Sequence, residues 1–284
     1  MTATRLFFHC IVGLAWLPFV LPLAALGGGL DHLKADIEAA GVTLVVVPVT
    51  TDTERNVMTI PSGFPHRAVV VRYLSNDSFR REFYAANALT VGQEGPAGKV
   101  SFVLLNMARE PEWGPYREGL LAHEFGHVWL SANGFRSSPF QEGPEACVGI
   151  HAADILHHIL IRQEMRRREI DDQAFWHSLF DGVRRQLEQS AADSPVSPCE
   201  KLILLSQWMD LRFGYGDSAE PFVEPLTGLF QDRQPDVVER GNMIETFLAG
   251  RDFRSISGFI QSFAGVHSLV DSYFKQLGSA SGAK

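Results

Sequence analysis

The sequence predicts an α+β protein in which a small mixed β-sheet with helices precedes a mainly α-helical second half. Three observations carry that expectation. β-Branched and apolar runs are confined to the part before residue 110: "VTLVVVPVT" at 42–50, "HRAVVVRYLS" at 66–75 and "KVSFVLLNM" at 99–107. They alternate with segments of helical spacing, an order that lays helices against a sheet. After residue 116 the strand signals nearly vanish, and apolar residues recur at steps of three and four.

The first 28 residues differ in kind from the rest. Arg5 precedes an uncharged apolar stretch from Leu6 to Leu26, and small residues follow at Gly27 to Gly29. A positive start, an apolar run and small residues make an export signal, so the protein is expected to be secreted or periplasmic. The run is also long enough to stay as a membrane anchor over residues 6–26. Pro18 and Pro22 favour the cleaved form, because they break a spanning helix where a peptidase needs extended chain. Cys10 lies inside this run and is assigned no role.

Beyond it, "DHLKADIEAAG" at 31–41 has Leu33 and Ile37 on one side and Gly41 as its stop, which predicts a short helix. The first strand candidate follows at 42–50 and the second at 66–75. "NDSFRREFYAANAL" at 76–89 predicts a helix capped by Asn76 or Asp77. "GQEGPAG" at 92–98 reads as a loop into the third strand at 99–107. Helices are then expected over about 117–133, 143–169, 172–190, 199–213, 235–249 and 256–277. The breaks between them are "NGFRSSPF", "SAADSPVSP", "FGYGDSAEPFVEP" and "GRDFRSI". The expected organisation is a signal or anchor at 1–28, a sheet-containing part at 29–134 and a helical part at 135–284.

The 284 residues carry a formal charge of −8. That balance argues against a nucleic-acid partner, which needs a basic surface. The basic cluster Arg166 to Arg168, with Arg162 a turn earlier, reads as a solvated helix end. Loss of the leader would leave Cys147 and Cys199, which can form a disulfide in an exported protein or lie reduced and buried.

The chemistry concentrates in "YREGLLAHEFGHVWLSANG" at 116–134. His123 and His127 are four residues apart, so on a helix their side chains share a face. Two imidazoles in that relation can reach one tetrahedral ion, at about 2.0–2.1 Å from each nitrogen. Glu124, one residue along, lies beside such an ion, where it can hold a water and take its proton. Leu120, Leu121, Phe125, Val128 and Trp129 supply the apolar face of a half-buried helix. A catalytic zinc ion needs a third protein ligand, and 128–141 contains no His, Asp, Glu or Cys. The next candidate is Glu142, in "QEGPEACVG".

These residues resemble the gluzincin group of HExxH zinc metallopeptidases, in which a glutamate from the following helix completes the site. The likeness is carried by HEFGH at 123–127 and by Glu142, Gly143 and, more loosely, Glu145. It covers about 30 residues, with a shorter gap between motif and glutamate than in the familiar aminopeptidase pattern. The resemblance implies a zincin-like fold and one catalytic Zn2+ ion. It also implies ligands His123, His127 and Glu142, with Glu124 as general base.

Chain geometry supports Glu142 separately. Gly134 ends the motif helix, "FRSSPF" reverses the chain, and Pro144 suits the first turn of the next helix. Glu145 is the second choice, or a carboxylate at the helix start. His151 and Asp154 are read as satisfied helix-face residues, and His157–His158 as a partly exposed pair without a matching acid. His32, His66, His177 and His267 are assigned nothing as ligands. Tyr215, His267 and Tyr273 carry groups suited to an oxyanion, with nothing to choose among them.

The expected activity is peptide-bond hydrolysis on a peptide or protein substrate, with the third strand as an edge for an extended chain. The rival expectation is a catalytically inactive zincin-like protein serving as an exported binding module.

Overall fold

The computed structural model describes residues 6–7, 28–52, 57–61, 64, 66–95, 98–136, 146–189, 196–216 and 220–281. Residues 1–5 and 8–27 of the leader lie outside these, as do Glu142 and Glu145. Among the described residues no helix is long and apolar enough to cross a membrane. The chain divides into two units: Met1–Asn133 with Glu164–Phe175, and Gly134–Gln163 with Trp176–Lys284.

The first unit is built in the order β1 (Leu6–Phe7), α1 (Gly28–Ala39), β2 (Val42–Asp52), β3 (Val57–Thr59), α2 (Arg67–Leu74), α3 (Asp77–Ala85), β4 (Ala88–Gly95), β5 (Gly98–Asn106), α4 (Glu110–Trp113) and α5 (Arg117–Ala132). The strands form a mixed sheet in the order β1-β4-β5-β2-β3. β2 and β5 run parallel, from Val42 opposite Lys99 to Val49 opposite Asn106. The β4–β5 hairpin and the flanking pairs are antiparallel.

Side chains alternate between faces along each strand, and the two faces take different partners. Val45, Val47 and Val49 of β2, Val91 of β4 and Phe102 and Leu104 of β5 pack with Val70, Leu74, Phe79 and Phe83 of α2 and α3. The opposite parity, with Ala88, Thr90 and Gly92 on β4, belongs to the other face. α5 packs on β4 and β5, and α1 packs on β2 and α5.

Three expectations change here. Where a strand is expected over 66–75, Arg67–Leu74 form helix α2. Val70 and Leu74, one turn apart, are both buried in the sheet's core cluster, with Val69 and Tyr73 packed beside them. The strand preference of three consecutive valines, a few tenths of a kcal/mol each, is outweighed by burying that stripe. Second, "ALTVGQEG" at 88–95 is strand β4, not a helix end and loop. Its ladder to β5 holds despite two glycines and a Gln-Glu pair. Third, β5 lies between β4 and β2 and has no open edge.

The second unit is helical. It takes the larger parts of α6 (Ala146–Arg167) and α7 (Gln173–Gln189), then α8 (Pro198–Tyr215), α9 (Val223–Arg233), α10 (Pro235–Leu248) and α11 (Ile256–Ser281). α8 opens on a capping box: Ser197 accepts from the Glu200 amide and Glu200 accepts from the Ser197 amide, with Pro198 in the first turn. α9 interrupts what reads in sequence as one long break. Its Pro225 sits in the first turn, where no intrahelical N–H is required. Gly241 of α10 leaves space for Trp208, since a Cβ there would meet the indole Cδ1 at 2.2 Å.

The Arg cluster is less solvated than expected. Arg167 is largely exposed, but the Arg168 side chain keeps only 6% exposure and pairs with Glu164 and Asp36. Arg162 is buried over the Trp176 ring, 3.6 Å from its centroid. Carboxylates and an aromatic face offset the desolvation of these two cations.

Cys147, at the start of α6, is bonded to Cys199, at the start of α8, across 52 residues of sequence. Closing a loop of that length restricts the unfolded chain by about 4 kcal/mol on the chain-entropy account. Urea denaturation of Cys147→Ser/Cys199→Ser beside the oxidised wild type should therefore show a loss of roughly 2–4 kcal/mol.

Candidate metal centre

Helix α5 holds the HEFGH residues in a buried setting. Gly119 to Gly126 are all buried, His123 and Glu124 with 7% exposure each, and His127 is half-buried. Glu118 stands in the first turn, where a negative charge suits the helix dipole. At the other end Asn133 turns its Nδ2 back to the Trp129 carbonyl at 2.8 Å, and Gly134 takes φ 90. That left-handed residue ends the helix as the sequence predicts.

The two imidazoles meet on one face of α5. Their Nε2 atoms are 3.3 Å apart, and the rings stand nearly perpendicular at 83°. Two nitrogens bound to one tetrahedral ion at about 2.0–2.1 Å are about 3.3–3.4 Å apart, so the pair has the separation a shared ion requires. Phe175 covers His123, with ring centroids 4.9 Å apart. Gly119 makes room for this, since a Cβ there would lie 2.9 Å from the Phe175 Cβ.

Glu124 turns to the sheet. Its Oε2 accepts a hydrogen bond from the Thr90 hydroxyl at 2.5 Å. Thr90 is on β4, opposite Val103 of β5, on the face that α5 covers. Nothing in the sequence singled out Thr90. Its signal is the alternation of β4, and that strand is hidden by its glycines.

In the second unit, the histidine pair of α6 departs from expectation. Both rings are largely buried, and there is a matching acid. His158 Nδ1 lies 2.9 and 3.0 Å from the two carboxylate oxygens of Asp210 on α8. Burial alone would lower the His158 pKa, but the charge and hydrogen bond of Asp210 outweigh it and hold the value above the ordinary one. A carboxylate on one ring nitrogen fixes the ring's orientation, as it does behind many metal-ligating histidines. The pairing spans 52 residues, and no local pattern announces it.

His157 has a different role. Its Nε2 donates to the Phe135 carbonyl at 3.1 Å, and its ring stacks on Phe259. His151 pairs with Asp154 at 3.4 Å on the same helix, as its reading as a satisfied residue expects. Tyr273 is committed to Asp236 through a 2.6 Å hydrogen bond, and Lys201 binds that carboxylate from the other side. Tyr215 lies in an aromatic cluster with His177, Phe180 and Phe222.

Comparison with models of known families, with curated proteins and with solved structures finds no match to this chain.

Burial pushes the His157 pKa down to about 4 from an ordinary 6.5, outweighing the nearby Asp154 charge. The unfolded chain then takes up this proton first as pH falls, so the stability is complete above 6.5 and is lost progressively down to about 4. Urea unfolding at pH 7 and pH 4.5 should give a difference for wild type that exceeds that of His157→Gln by about 2–3 kcal/mol.

Proposed function

We propose that this chain is a zinc-dependent peptidase of zincin-like architecture, with His123 and His127 as metal ligands and Glu124 as general base. The observation that carries the reading is the 3.3 Å separation of the two Nε2 atoms on a buried helix, with a carboxylate one residue away. The third ligand is assigned to Glu142, which the motif resemblance favours, with Glu145 as the second choice.

When bound, zinc supplies a Lewis acid that polarises the scissile carbonyl and brings the pKa of water near neutrality. Glu124 accepts the proton of the attacking water and delivers it to the leaving amine. The burial of Glu124 keeps bulk water from competing for that proton. We assign the substrate's strand to the outer edge of β4, in place of the β5 edge expected from sequence. Residues Leu6–Phe7 pair antiparallel with Gly92 and Gln93 there, which supports an edge that takes added strands. The proposed protein is exported, by the leader expected at 1–28.

Elemental analysis should find one zinc ion per chain in wild type and none in His123→Ala. Glu124→Gln should keep the ion and lose roughly 10²–10⁴-fold in kcat/KM on a peptide library. A wild type that holds zinc and cleaves nothing favours the inactive binding module. Zinc competition assays on Glu142→Ala and Glu145→Ala identify the third ligand by which loss weakens binding more.

A further inference from the structure

We infer that Thr90 is a positioning residue for the proposed general base, holding the Glu124 carboxylate in the orientation in which it takes a proton. The inference rests on the peptidase reading and adds to it a residue outside the motif. Three features carry it. The Thr90 hydroxyl donates to Glu124 Oε2 at 2.5 Å, a short charge-assisted contact. Both ends are held: Thr90 lies within the β4–β5 ladder, and Glu124 within the buried stretch of α5. The contact joins residues 34 apart in sequence, so it fixes the carboxylate relative to the sheet as well as to its own helix.

A glutamate has three side-chain torsions, and its terminal one is broad. A hydrogen bond to one oxygen restricts that rotation and so fixes where the carboxylate presents its oxygens. In a site whose reacting groups must be aligned, loss of that restriction lowers the rate of the chemical step and leaves substrate affinity in place. The effect of Thr90 runs through Glu124, to which its hydroxyl donates. A β-branched residue also suits the strand, so valine replaces it with the same shape and without the hydroxyl.

The test compares Thr90→Val with Thr90→Ser in the full chain. On a cleaved peptide, Thr90→Val is expected to lower kcat roughly 10–100-fold with KM changed less than about twofold, the split that transition-state positioning gives. Thr90→Ser, which restores a hydroxyl, should recover most of the rate. A second readout is independent of activity. In metal-free protein labelled with 13C at glutamate carboxyls, the Glu124 resonance, assigned by its absence in Glu124→Gln, should move in Thr90→Val and return in Thr90→Ser. An unmoved resonance, or an unchanged kcat in Thr90→Val, overturns the inference and leaves the peptidase reading intact. A wild type that cleaves no peptide, whatever the resonance does, overturns the peptidase reading and the inference with it.

Discussion

The first unit depends on the packing of α5 against the sheet. That helix buries every residue from Gly119 to Gly126, including one imidazole and one carboxylate. A polar group that leaves water must find a partner, or it costs on the order of 1–3 kcal/mol, and a charged one costs more. The structure meets this demand by bringing functional groups together. His123 meets His127, Glu124 meets Thr90, and Phe175 covers the first imidazole. A buried helix with this much polar chemistry needs a reason beyond stability, since leucine or alanine at these positions would fold at lower cost. The proposed metal supplies that reason.

The second unit repeats the theme with different groups. Asp210 is buried on α8 and faces His158 on α6. Tyr273 and Lys201 converge on Asp236 at the start of α10. Burial favours the uncharged carboxyl of Asp236, but these hydrogen bonds and the Lys201 charge prevail and hold its pKa below the ordinary value. The disulfide between the starts of α6 and α8 restrains the helices that bear His158 and Asp210. Tyr273, one of three tyrosine and histidine candidates for an oxyanion donor in sequence, has its hydroxyl engaged in this network.

Local patterns made α1, β2, β5, α5 and the long helices after it legible in the sequence, because each carries one strong periodicity with plain stops. What stayed hidden was decided by partners distant in sequence. The valines of α2 look like a strand until a sheet face is available for Val70 and Leu74. β4 carries Gly92, Gln93, Glu94 and Gly95 and is recognisable only through its ladder to β5. α9 is masked by a proline that its first turn tolerates. Within the site, the spacing of His123, Glu124 and His127 gave their placement on one buried helix. Thr90 is met only through a tertiary contact. The acid expected to be missing beside His157–His158 lies on another helix altogether.

X-ray absorption at the zinc edge, on protein purified and refilled with one equivalent of Zn2+, tests the central claim most directly. The account predicts a first shell of nitrogen and oxygen at about 2.0–2.1 Å, with outer-shell scattering from at least two imidazoles. A protein that takes up no zinc, or one whose bound zinc lacks imidazole in its shell, contradicts it.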